Sequence, residues 1–306
     1  MGLKQQIAVE PLRPGHFSSV ENPTRLGSLS EYVFGGNTIA VAVNAAYQTV
    51  NDTYHLYSLC GHFIRPATTD RKLFCHVESI RDSKSFQTRQ IRVSQAAGGG
   101  SNRLCLIAIA DFHIEEPYSA VTYSIPPETE SPSSKLRGKY SAPPPDASKN
   151  RNLYRDIEHF LDMRPILDND TSTENHKQNT RINSPPAASS IITKEMFRAP
   201  EPLDNEAEQV SALAFYADKG LAYIPAMHKG YDLRQASACA TLEFSLRIFV
   251  HDLNLAKWHL AEQKSFAAGN ARAFSEGRIW NEDGHLVASM TQQTILRPGT
   301  ELGPRL

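Results

Sequence analysis

The run GGNTIAVAVNAAYQTV, residues 35–50, decides how the chain is read. It is apolar, rich in alanine and opened by the pair Gly35-Gly36. Ile39, Val41 and Val43 alternate as a strand would, but the glycine boundary and the alanines favour a buried helix. Four strand-like runs follow: Tyr54–Arg65, Lys72–Ile80, Ser85–Gln95 and Arg103–Phe112. Asp82-Ser83-Lys84 and Gly98-Gly99-Gly100-Ser101-Asn102 separate the later ones with hairpin chemistry. Residues 27–113 are therefore expected to form one helix and an antiparallel meander.

The same order recurs further on. A helix over Val210–Ile224 precedes strands over Cys239–Phe249, Trp258–Gln263, Ala271–Trp280 and Leu286–Leu296, with Asn281-Glu282-Asp283-Gly284 as a hairpin turn. The repeat is one of element order rather than of letters, and suggests one architecture duplicated, each sheet wrapping its own helix. Between the units, residues 114–203 hold 12 of the 19 prolines and are dense in Ser, Thr, Asn and Lys. Such a stretch reads as a connection. Two islands within it, Asp156–Pro165 and Ile191–Arg198, are candidates for an added strand. The expected division is 1–125, a Pro/Ser-rich linker at 126–150, and 151–306 with an insertion near 170–190.

The 306 residues carry Lys+Arg 32 against Asp+Glu 33, a formal charge of -1. That balance gives no positive field for nucleic acid or for an anionic membrane surface. The longest strand-like apolar run, Leu104 to Ala110, is far short of a membrane span. MGLKQQIAVEPLRPG has no apolar core for a signal peptide, and Gln6 breaks the myristoylation pattern begun by Gly2. An intracellular protein is expected, with the sequons at Asn51 and Asn169 as chance matches. Pro304-Arg305-Leu306 approximates a peroxisomal address and departs from it at Pro304.

Chemical motifs are sparse. The four cysteines, at 60, 75, 105 and 239, include no CxxC pair, and the 11 histidines show no ligand spacing, so no metal or other cofactor is expected. GxGxxG, Walker A and HExxH are absent. Gly99-Gly100-Ser101-Asn102-Arg103 lacks the last glycine of a nucleophile elbow and lies in a hairpin turn. Cys60-Gly61-His62 places a thiol and an imidazole on one strand face, where a packed interior is favoured over a catalytic pair.

Three polar residues in apolar settings are more informative. Asp218, read as helical, has Ala214, Phe215, Leu221 and Ala222 as neighbours three and four residues away. Desolvation there raises a carboxyl pKa and makes a better base near neutral pH. The alternative is an Asp at the helix edge, in water or paired with Lys219. Gln292 shares a strand face with Leu286, Ala288, Met290, Thr294 and Leu296. Its amide needs partners, from the backbone or a substrate-bound water. Thr241 has the parity of Glu243, Ser245 and Arg247, opposite the apolar set Leu242, Phe244, Leu246, Ile248 and Val250. It faces the core only if a bulge intervenes.

Six separated motifs resemble the type II acyl-CoA thioesterases. In the first half these are FGGNT at 34–38, YHLYSL at 54–59 with FIRP at 63–66, and RDSKSFQTR at 81–89. In the second they are LAFYAD at 213–218, ATLEFS at 240–245 and LVASMTQ at 286–292. The resemblance implies a double hotdog fold, an α+β arrangement of two antiparallel sheets each wrapped around a central helix. It also implies hydrolysis of fatty acyl-CoA to free acid and CoA, within fatty acid metabolism. The family's Asp, Thr and Gln fall on Asp218, Thr241 and Gln292, which would activate water. Gly35, Gly36 and Asn37 are assigned to the substrate side, and a homo-oligomer remains open. Departures stand at Glu243-Phe244, Arg247 and Gln293-Thr294, where the family carries other residues. Competing readings are a hydratase or dehydratase on an acyl thioester, or a non-catalytic acyl-CoA-binding pathway protein.

Overall fold

The computed structural model describes residues 1–97, 100–128, 153–166 and 187–299. The Pro304-Arg305-Leu306 tail, Asn169 and most of the linker and insertion lie outside them. The chain starts with helix α1 (Leu3–Ile7) and a hairpin of β1 (Val9–Arg13) and β2 (His16–Ser19). Helix α2 (Gly35–Tyr47) follows, then β3 (Tyr54–Phe63), β4 (Phe74–Asp82), β5 (Phe86–Ala96) and β6 (Asn102–Ile114). The helical reading of residues 35–50 wins over the alternating one. Gly36 through Ala46 are all buried, as a helix surrounded by a curved sheet requires.

The second half comprises β7 (Asp162–Ile166), β8 (Ile192–Arg198), α3 (Glu206–Ala217), α4 (Ile224–His228), β9 (Ala236–Ile248), β10 (His259–Gly269), β11 (Arg272–Trp280) and β12 (Leu286–Pro298). Both linker islands thus add a strand: β8 pairs with β10, and β7 with β8. Residues 1–26 carry structure that the repeat did not announce. Leu3 and Ile7 are buried, and β2 extends the first sheet by pairing with β4. Their strands are short and interrupted by Pro11 and Pro14, so alternation is weak there.

The twelve strands run in the order β1-β2-β4-β5-β6-β3-β9-β12-β11-β10-β8-β7, every neighbour antiparallel. The two half-sheets are therefore continuous, joined where β3 pairs with β9 from Ser58↔Arg247 to His62↔Glu243. Helices α2 and α3 pack on each other, with Phe34 and Phe215 edge to face at 5.0 Å.

At this seam Gly61 points inward, and a Cβ on it would lie 2.7 Å from the Phe244 ring and 3.1 Å from Ala108 Cβ. Cys60 and His62 consequently face out and are exposed, which corrects the packed-interior expectation. Cys60 Sγ lies 3.2 Å from Arg247 Nη1 across the two strands.

The prediction is that Gly61→Ala destabilises the protein by about 1–3 kcal/mol, because an added methyl must displace a core phenyl ring. Urea denaturation with an unchanged m-value checks it.

Candidate functional site

Helix α3 begins cleanly. The Asn205 side chain accepts from the Glu208 N–H at 2.9 Å, and Glu206 and Glu208 suit the positive end of the helix dipole. It stops earlier than the periodicity suggests. Asp218 is its C-cap, and Gly220 follows with φ +83, a conformation that breaks the helix. Of the helix expected to Ile224, only the part to Ala217 forms as α3; residues 218–223 are turns and bends, and α4 begins at Ile224. Asp218 is still buried, at 7% exposure, but because of what packs over the helix end rather than because of its own helical stripe.

Gln292 on β12 supplies the first partner. Its Nε2 donates to Asp218 Oδ1 at 2.5 Å, and the residue is fully buried. Thr241 Oγ1 donates to Gln292 Oε1 at 3.1 Å. These two bonds fix which end of the amide points where. Thr241 reaches this face through a bulge. Glu243 pairs with Gln293, yet Thr241 pairs with Thr294, so Leu242 is the extra residue. Leu242 is 37% exposed, not on the apolar face assigned to it, while Phe244, Leu246 and Ile248 remain buried.

The first half supplies the other wall. The Gly36 backbone lies close enough to Asp218 to lower its carboxyl pKa. A Cβ on Gly35 would lie 2.7 Å from Asp218 Oδ2, and one on Gly36 would lie 2.3 Å from the Phe215 carbonyl. Both positions therefore require glycine, and the N-terminus of α2 faces the carboxyl at the end of α3. An N-terminal helix end favours a negative charge. Burial nevertheless dominates and pushes the Asp218 carboxyl up to about 6, against the lowering influence of Gln292, Gly36 and Thr241.

Asn37 does different work from the substrate contact assigned to it. It is fully buried. Its Oδ1 accepts from Gln6 Nε2 at 2.9 Å and from the Thr24 N–H at 2.8 Å, and its Nδ2 donates to the Gln6 carbonyl at 3.3 Å. These bonds tie the N-terminal segment to α2 and use up the acceptor. Lys219, offered as a partner for Asp218, instead bonds Glu195 at 2.5 Å, and Tyr216 donates to the same carboxylate at 2.8 Å. That buried cluster, and the reach of Gly35-Gly36 to Asp218, were not read from the sequence. The doubled glycine was the only signal.

The arrangement has a desolvated carboxylate with a pKa near neutrality, a fixed amide, a hydroxyl and backbone N–H groups. It is suited to taking a proton from water beside an electrophile. No cluster of His, Cys, Asp and Glu able to hold a metal occurs among the described residues. A groove of about 370 Å³ lined by Arg13, His16, Phe74 and His76 shares no residue with this site.

Comparison with known proteins matches residues 23–113 to the acyl-CoA thioesterase N-terminal domain and residues 168–296 to the acyl-CoA thioesterase C-terminal domain. Acyl-CoA thioesterase 2 of Haemophilus influenzae is 25% identical over 273 residues, covering 87% of each chain. The crystal structure of an acyl-CoA thioesterase II from Mycobacterium marinum superposes with a TM-score of 0.70 at 21% identity, covering 99% of each chain. A protein with hot dog fold from Alicyclobacillus acidocaldarius gives 0.64 at 18% identity, over 97% of this chain and 98% of the other. The double hotdog architecture expected from the motifs is borne out.

Two outcomes follow for stability. Asn37→Ala should cost about 1–3 kcal/mol, since it leaves the Thr24 N–H without its acceptor and the Gln6 amide with the Asn22 carbonyl alone; thermal denaturation reads it. Asp218 has a folded pKa of about 6 against 3.8 in the unfolded chain. The folded state therefore binds more protons between these values, and this group's contribution to stability falls as pH rises through that window. Stability–pH curves of wild type and Asp218→Asn should diverge by about 2.5 kcal/mol between pH 4 and pH 8, wild type losing more.

Proposed function

This chain belongs to the acyl-CoA thioesterase family, and from that premise we propose that Asp218, Thr241 and Gln292 activate the water that hydrolyses an acyl-CoA thioester to free acid and CoA. The observation that carries the assignment is the buried Asp218 carboxyl, pushed up to about 6 by burial and bonded to a fully buried Gln292. Asp218 takes a proton from water as the oxygen attacks the thioester carbonyl carbon. Thr241 and Gln292 orient that water and the carboxylate. At the N-terminus of α2 the Asn37 and Thr38 N–H groups bond the Phe34 carbonyl and Gly36 faces Asp218, so the Gly35 N–H is the one offered to the negative carbonyl oxygen, a type of stabilisation worth about 3 kcal/mol. The tetrahedral species then expels CoA.

No histidine among the described residues hydrogen-bonds Asp218, which argues against a hydratase or dehydratase built on an Asp/His pair. Phe244 and Arg247, two of the departures from the family pattern, have structural surroundings. Phe244 fills the seam beside Gly61, and Arg247 lies on the outer face at Cys60. Phe244 is also the cross-strand partner of Gln292, so this departure adjoins the trio, whereas Arg247 pairs with Ser289 away from it.

The chain divides into 1–125, a linker at 126–150 and 151–306. It acts in fatty acid metabolism, with the peroxisome as the compartment to test. A homo-oligomer is left open, and sedimentation reads it directly. No helix among the described residues is long and apolar enough to cross a membrane.

Thiol release from a panel of acyl-CoAs tests the activity. Turnover on no chain length would overturn it, and ligand-induced thermal stabilisation without turnover would indicate a binding protein. Asp218→Asn should fold and lose about 10²–10⁴-fold in kcat/KM. The wild-type kcat/KM should rise with pH along a limb centred near 6, because only the ionised carboxylate accepts a proton.

A further inference from the structure

We propose that Tyr223 is a further catalytic residue, its hydroxyl donating a hydrogen bond to the thioester sulfur as the carbon–sulfur bond breaks. This rests on the hydrolase reading above and adds a group to the same site. Tyr223 stands at the turn after Asp218, where its N–H donates to the Gly220 carbonyl at 2.7 Å and the chain enters α4. The next residue back, Ala222, accepts from Cys239 Sγ at 3.3 Å. Cys239 is two residues before Thr241 on β9 and so shares its face. Tyr223 is thereby held beside Thr241 and Asp218, from the second half. Gly35 and Gly36 approach from the first.

The phenol is nine-tenths buried, at 9% exposure. Buried tyrosines normally satisfy their hydroxyl. Here Tyr47 donates to Glu206 at 3.0 Å, Tyr54 to the Ser83 carbonyl at 2.9 Å and Tyr216 to Glu195 at 2.8 Å. The Tyr223 hydroxyl has no such partner among the described residues. It is also not among the sealed orphan atoms, which are on Gln87, Ser211, His228 and Ser275. Its oxygen is therefore open to a ligand. Burial, followed by the neighbouring Cys239 and Asp218, raises its pKa, so it keeps its proton and remains a donor throughout the working range.

The reaction leaves one charge without a receiver. Asp218 takes the water proton, and the Gly35 N–H receives the carbonyl oxygen. The electron pair of the breaking carbon–sulfur bond goes to sulfur, which the Tyr223 hydroxyl, close to Asp218 and Cys239, receives. Tyr223 keeps its own proton and stabilises the thiolate. The proton held by Asp218 then passes to the departing sulfur, which restores the carboxylate and yields acid and free thiol.

The leaving group is the readout. Tyr223→Phe should lower kcat/KM for an acyl-CoA by about 10–100-fold, the worth of one hydrogen bond to a charge. The loss should stay within about 3-fold for the S-aryl thioester of the same acid, whose delocalised thiolate needs little help. Equal losses on both thioesters, or no loss on either, would overturn the proposal. Should the Phe variant fail to fold, 3-fluorotyrosine at position 223 keeps the ring and the donor. It should retain acyl-CoA turnover within the same narrow range, and a tenfold loss in folded protein would equally overturn it. A wild type inert to both thioesters would sink the hydrolase reading itself, a separate result.

Discussion

A carboxyl group held out of water is the condition on which the site depends. Asp218 ends α3, and α2 from the other half closes over it. The closure works because Gly35 and Gly36 have no side chains: a single Cβ at either would strike Asp218 or the Phe215 carbonyl. The same contact removes solvent and replaces it with the Gly36 backbone. Burial raises the pKa, and the neighbouring Gln292, Gly36 and Thr241 hold the rise to a range where the group still ionises near neutrality. Without those neighbours an isolated buried carboxyl would stay protonated and be no base at all.

Two half-sheets with a helix each would not bring these groups together unless the halves were rigidly joined. The β3–β9 pairing does this with five residue pairs and a glycine that admits the Phe244 ring. Next to it, the Leu242 bulge turns Thr241 inward while leaving Phe244, Leu246 and Ile248 in the core. The irregularity thus serves chemistry and packing on one strand. It costs an exposed leucine.

Much of this was legible in the linear pattern. The helix at Gly35–Tyr47 and the eight main strands follow from apolar runs separated by hairpin turns. Asp218 and Gln292 stood out because a polar group on an apolar stripe must be satisfied or used, and they satisfy each other at 2.5 Å. Thr241 was legible only as a conditional, since residue parity predicts the wrong face and a bulge has no letter of its own. Asn37 was misassigned because its partners, Gln6 and Thr24, lie in a segment whose strands are too short and proline-broken to show alternation. Tyr223 gave no signal in a helix expected to run through it.

The order of elements, the duplicated plan and the identity of the unusual polar residues came from sequence, because periodicity and turn chemistry are local properties. The family followed from motifs in which those local choices recur. Only the tertiary structure decided where α3 stops, that the glycine pair seals Asp218, that Thr241 turns inward, and that the buried Tyr223 hydroxyl has no partner among the described residues. Each of these depends on contacts between residues far apart in the chain. Desolvation, steric exclusion and hydrogen-bond satisfaction are set by what surrounds an atom in space, and neighbours in sequence do not specify that surrounding.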